Sequence, residues 1–101
     1  MLEKAYAKNG KTCTVTFTLP GEVETTTAHL VGEFNGWDAD ATPMKRAPKT
    51  KGGGFTAKVK LDAGQSYRFR YLLDDGRWEN DWHADAYLPN EFGSDDSVVT
   101  V

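Results

Sequence analysis

An all-β fold, a small antiparallel sandwich or barrel, is what the sequence predicts, and three observations carry it. Apolar residues recur with a period of two in four separate runs, turn chemistry separates those runs, and no apolar period of 3.6 is sustained anywhere. Composition agrees: 11 Thr and 7 Val, with 3 Trp, 4 Tyr and 5 Phe, favour the pleated, half-buried surface of a sheet. At 101 residues the chain is expected to make one domain spanning residues 1–101.

The first run sets Cys13, Val15, Phe17 and Leu19 against Thr12, Thr14, Thr16 and Thr18, a strand with one wet face, and Pro20-Gly21 stops it. The second sets Ala28, Leu30, Gly32 and Phe34 against His29, Val31 and Glu33, and Gly32 within it suggests a bulge or a close approach of two backbones. The third alternates Phe55, Ala57, Val59 and Leu61 with Thr56, Lys58 and Lys60. Turn residues Asp62 to Gln65 follow, so it is expected to pair as a hairpin with the fourth, Tyr67, Phe69, Tyr71 and Leu73. Asp75-Gly76 is a strong hairpin signal after that strand, and Ser97 to Val101 closes the sheet. Lys49 to Gly54, with its triple glycine, is expected to be a hairpin loop.

Charge and cysteine content narrow the function. A net charge of −3 supplies no basic field for phosphates, so nucleic acid is not an expected partner. No window approaches the roughly 20 apolar residues of a membrane span, and the opening residues carry no apolar stretch for a signal peptide. Cys13 is alone, which excludes an internal disulfide and a cysteine-based zinc site and suits a reducing compartment. A cytoplasmic protein without membrane contact is the expectation.

Three tryptophans, Trp37, Trp78 and Trp82, fall outside these runs, where burying roughly 150 to 250 Å² of aromatic surface each is hardest. Either they fold back to cap the ends of the sandwich, or they stand exposed as an aromatic platform. A platform suits a ligand with flat apolar faces and polar edges, which is what a pyranose ring offers: C–H groups on its face, hydroxyls on its rim. Arg70, Asp96 and Asn35 carry suitable hydrogen-bonding groups, although Arg70 also reads as an ordinary solvated strand residue.

The run Gly32-Glu33-Phe34-Asn35-Gly36-Trp37, followed by Pro43-Met44, resembles the isoamylase N-terminal-like domains called carbohydrate-binding module family 48. The resemblance continues through Phe69 to Trp78 and through Phe92 to Val99, and covers the chain from about residue 12 to 101. It implies an immunoglobulin-like (early-set) antiparallel β-sandwich that binds α-1,4-glucans such as glycogen, starch and maltooligosaccharides. It also implies a relationship to the glycogen-binding domain of the AMP-activated protein kinase β subunit. There two tryptophans, a lysine and an asparagine contact the sugar. By motif Trp37 and Trp78 match the tryptophans, Arg70 the lysine, and Asp96 falls at the asparagine. Phe92 stands where that subunit has a leucine in its binding loop, followed by Gly93 and Ser94. Two departures are visible: an ionised Asp96 accepts hydrogen bonds but donates none, and the loop at Asp74 to Gly76 is one residue longer.

Other function classes fit less well. The acidic residues Asp74, Asp75, Glu79, Asp81 and Asp85 invite a glycosidase reading, but a sandwich of this size has little material to wall a cleft and raise one carboxyl pKa. Asp38 and Asp40 lack the Gly and Glu of a calcium loop, and His29 and His83 are isolated, so neither a metal nor another cofactor is expected. The alternative to sugar binding is an interaction or regulatory module that docks on a glycogen-metabolising enzyme in trans, having lost its sugar site. The cluster Lys45, Arg46, Lys49 and Lys51 suits such an interface or, more simply, a charged sheet edge that blocks aggregation.

Overall fold

The computed structural model describes residues 2–48 and 53–101. Among the described residues nine strands form two antiparallel sheets: β1 (Leu2–Tyr6), β2 (Thr12–Leu19), β3 (Ala28–Gly32), β4 (Lys45–Arg46), β5 (Phe55–Asp62), β6 (Ser66–Leu73), β7 (Trp78–Glu79), β8 (Ala86–Pro89) and β9 (Asp95–Thr100). One sheet runs β1-β2-β5-β4 and the other β3-β6-β9-β8, with β7 also paired to β6. The two sheets pack as a β-sandwich. Among the described residues no helix is long and apolar enough to cross a membrane.

The alternation read in β2 is realised residue by residue: Cys13, Val15, Phe17 and Leu19 are fully buried while the threonines between them are half-covered. Opposite them, β3 and β6 contribute Leu30, Phe69, Tyr71 and Leu73, and β9 contributes Val99. Aromatic rings interlock at the centre, with Phe69 edge-on to Phe17 at 5.0 Å and to Tyr71 at 5.7 Å.

The third and fourth runs do not pair as a hairpin. β5 bonds to β2 and β4, β6 bonds to β3, β7 and β9, and the connection between them crosses from one sheet to the other. Its backbone is held on both sides: the Ala63 amide donates to the Lys11 carbonyl, and the Gly64 amide to the Val101 carbonyl. Two amphipathic strands joined by a short turn bury their apolar faces equally well side by side or face to face. Alternation therefore cannot distinguish a hairpin from an arch.

The second run is shorter than its alternation suggests: β3 ends at Gly32, and Glu33–Asn35 form a turn of 3₁₀ helix. The signal at Asp75-Gly76 is a true hairpin, β6 to β7, with Gly76 at φ 83 and its amide donating to the Leu73 carbonyl. Trp78 therefore begins a strand instead of lying between strands. The loop expected at 49–54 lies in its first four residues outside the described part; β4 and β5 on either side of it pair antiparallel.

Gly32 is a point of close backbone approach, as expected. A β-carbon there would sit 2.7 Å from the Arg68 carbonyl oxygen and 2.9 Å from the Phe69 β-carbon, and backbone cannot yield as a flexible side chain can. Gly32→Ala is expected to cost about 1–3 kcal/mol by overpacking, measured by urea unfolding, and an unchanged midpoint would contradict it.

Candidate functional site

The stretch from Gly32 to Trp37 is a compact device in which each residue has a separate task. Where β3 stops, the Arg68 amide of β6 is met by the Glu33 carboxylate at 2.6 Å, so the sheet loses no hydrogen bond. Phe34 turns inward against Phe17 and Tyr67. Asn35 pins the turn: its oxygen accepts from the Gly32 amide, and its nitrogen donates to the Leu30 carbonyl and the Thr42 hydroxyl. Asn35, read from the sequence as a candidate sugar contact, is thus consumed by the scaffold.

Gly36 and Trp37 follow in the left-handed region, at φ 67 and 59, and the Trp37 amide closes back on the Gly32 carbonyl at 2.9 Å. A bulky aromatic residue is rarely found there, and such a conformation costs on the order of 1–3 kcal/mol. The effect is to swing the indole away from the core: Trp37 is 41% exposed.

The cleft itself lies on the outer face of the β3-β6-β9-β8 sheet. Tyr71 points into the core, so its neighbours Arg70 and Leu72 point out, and Trp78, paired with Leu72, projects on that same side. Trp78 is 45% exposed and, with Trp37, lines a cleft of about 1020 Å³. Arg68 and Arg70 of β6 and Asp96 of β9 also line it, and the 89–94 stretch, from the end of β8 through Phe92 to Ser94, forms a rim. Six of the candidate contacts singled out from the sequence, Trp37, Arg70, Trp78, Phe92, Ser94 and Asp96, are thus brought to one place, and Asn35 is not among them. Trp82 is equally exposed but lies outside the cleft, its indole N–H donating to Glu79.

Charges in the cleft are largely paired. Asp96, only 6% exposed, faces Arg68 at 3.4 Å through one carboxylate oxygen and accepts from the Asn90 amide at 3.1 Å through the other. An acceptor-only carboxylate at this depth is therefore compensated by a cation and a donor. Arg70 extends beside Trp78, its guanidinium carbon 5.8 Å from the ring centroid, and reaches the Ser94 hydroxyl at 3.4 Å. Its Nε is buried with no hydrogen-bond partner among the described residues.

Arg68, Asn90 and Glu33 are cleft residues that the sequence reading missed. Arg68 was within reach of it, because it lies two residues before Arg70 on one strand and so shares its face. Glu33 reads as the outward end of the second alternating run, with nothing to mark it as a cleft residue, and Asn90 carries no periodic signal.

The match of the chain to a family model settles its membership: residues 22–88 fit carbohydrate-binding module 48, the isoamylase N-terminal domain. The chain belongs to this family. No curated protein matches the chain. Carbohydrate-binding module 48 has an immunoglobulin-like fold, in keeping with the two packed sheets, and carbohydrate binding is the function the family carries. The matched residues take in Trp37, Arg70 and Trp78 and end before the 89–94 rim. Among the described residues there is no cluster of three or more His, Cys, Asp or Glu side chains able to hold a metal ion.

Proposed function

We propose that this chain binds α-1,4-glucans, as polymer or maltooligosaccharide, in the cleft between Trp37 and Trp78, and that it does so without catalysis. The observation that carries the reading is that these two indoles, both more than 40% exposed, line the same cleft as an outward-pointing arginine. Indole faces cover the apolar faces of successive glucose units, and Arg70 donates to hydroxyls between them. Phe92, Ser94 and Asp96 supply the remaining contacts from the rim and floor. Of the three carboxylates lining the cleft, Glu91 lies exposed on the rim, and the other two give little support to hydrolysis: Asp96 is tied to Arg68 and Asn90, and Glu33 to the Arg68 amide. Neither is arranged as a free acid facing a second carboxylate.

A shallow open surface binds weakly for each sugar, so a Kd of roughly 10 μM to 1 mM is expected for maltoheptaose. Titration followed by intrinsic tryptophan fluorescence should give a saturable shift within that range. Silence up to about 10 mM would defeat the reading and favour a module that docks on a glycogen-metabolising enzyme. Reducing ends released from glycogen would defeat its non-catalytic half.

A further inference from the structure

We propose that Asn90 is a positioning residue of the cleft: its side-chain amide holds the 91–94 arm in one shape, so that Phe92 and Ser94 meet an arriving glucan already in place. The inference rests on the glucan reading above.

β8 ends at Pro89, paired with Asp95 at the start of β9, so residues 90–94 are the whole of the connection. Its backbone is closed by the Asn90 amide donating to the Ser94 carbonyl at 2.8 Å, with Gly93 at φ 82 making the turn. The Gly93 amide adds a longer bond to the Asn90 carbonyl at 3.4 Å and Arg70 reaches the Ser94 hydroxyl, but most of the side-chain bonds that shape the arm converge on Asn90. The Asn90 Oδ1 accepts from the Phe92 amide at 2.9 Å and the Ser94 amide at 3.2 Å. Its Nδ2 donates to the Ser94 hydroxyl at 3.1 Å and to Asp96 at 3.1 Å. Asp96 is in turn held by Arg68 of β6, so the arm is anchored to the floor of the sheet.

This task needs an acceptor and a donor on a short stem. Aspartate lacks the donor, and serine cannot offer two separated polar atoms. The need is sharp because Phe92 is 84% exposed, and packing does little to hold it. An arm free to sample many conformers would have to be ordered by the ligand, at the expense of affinity.

Two measurements test the assignment, one of them independent of any sugar. In Asn90→Ala, amide hydrogen exchange at Phe92 and Ser94 is expected to accelerate roughly tenfold or more. Affinity for maltoheptaose should fall roughly fivefold, and that loss should shrink to under about twofold when Phe92 and Ser94 are both already alanine. Unchanged exchange, unchanged affinity, or the same loss in the background lacking both side chains would overturn the proposal. Should Asn90→Ala fail to fold, Asn90→Ser, which keeps one short polar atom but cannot serve both amides and Asp96 at once, is expected to accelerate the same two exchanges, and unchanged rates would also overturn the proposal. Absence of maltoheptaose binding by the unmodified chain sinks the glucan reading alone, because the exchange rates still judge Asn90.

Discussion

Alanine at either Trp37 or Trp78 is expected to weaken maltoheptaose binding at least roughly 30-fold while leaving the fold intact. Central aromatic residues commonly contribute about 2 kcal/mol or more to a binding surface, and in the proposed complex each indole would cover a sugar face. Both side chains are more than 40% exposed, so their removal opens no cavity in the core. The two positions nevertheless differ. Trp37 sits at φ 59, where glycine is at ease and alanine is not, so Trp37→Gly should bind as poorly as Trp37→Ala yet unfold at higher urea. Trp78 stands beside Arg70, so Trp78→Phe should retain part of the affinity by keeping a ring for both the guanidinium and the sugar. Isothermal titration alongside urea unfolding measures both effects. Near-normal binding by either alanine variant would remove the two-tryptophan cleft from consideration.

The largest stability effect is expected at Asp81. This carboxylate is 2% exposed and sits inside the sandwich, taking the hydroxyl of the fully buried Tyr71 at 2.6 Å and the His83 amide at 2.8 Å. Its own amide donates to the buried Ser97 hydroxyl, and its carbonyl accepts from Tyr87. Asp81 therefore fastens the middle of the segment between β7 and β8 to the core, while Asn80 and Asp85 tie its two ends to β9. Asp81→Ala strands the Tyr71 hydroxyl and loosens the middle of the 80–85 segment, at a cost of about 3 kcal/mol and a fall in melting temperature of roughly 10 °C or more. Adding Tyr71→Phe to that variant should recover part of the loss, because it removes the stranded hydroxyl. A loss below about 1 kcal/mol would contradict this account.

The same pair governs behaviour in alkali. Burial pushes the Tyr71 hydroxyl well above its ordinary value of 10.0, and the charge and hydrogen bond of Asp81 push it further. The folded protein thus holds this proton more tightly than the unfolded chain does. Its contribution to stability is complete below about pH 10 and drains away as the pH rises beyond the unfolded value towards the folded one. A titration followed by tyrosinate absorbance should show Tyr71 ionising only with unfolding, a step that Tyr71→Phe removes.

Burial periodicity was the most legible part of the sequence because strand alternation and core packing are the same fact for a strand with one wet face, as β2 demonstrates. It was silent on which strand neighbours which. The β5–β6 arch and a hairpin make the same demand on the residues within each strand, and only long-range pairing separates them. The short strands β1, β7 and β8 were missed because their residues are mostly exposed and show no alternation of burial. In the cleft, Trp37, Arg70 and Trp78 were found through motif and anomaly, an aromatic where burial is hard. Asn35 misled for an instructive reason: an amide suited to sugar hydroxyls is equally suited to pinning a turn, and only its three partners reveal which. Asn90 gave no sign of itself because its importance lies in the loop it closes.

The residues of the cleft all hang from the β3-β6-β9-β8 sheet and its connections, whereas the opposite outer surface, on β2 and β5, is a carpet of Thr14, Thr16, Thr18, Thr56, Lys58 and Lys60. The molecule is therefore two-sided. A polysaccharide lying in the proposed cleft would leave the other side bare, and substitutions on the threonine-lysine side would then change solubility or neighbours without disturbing binding on the first.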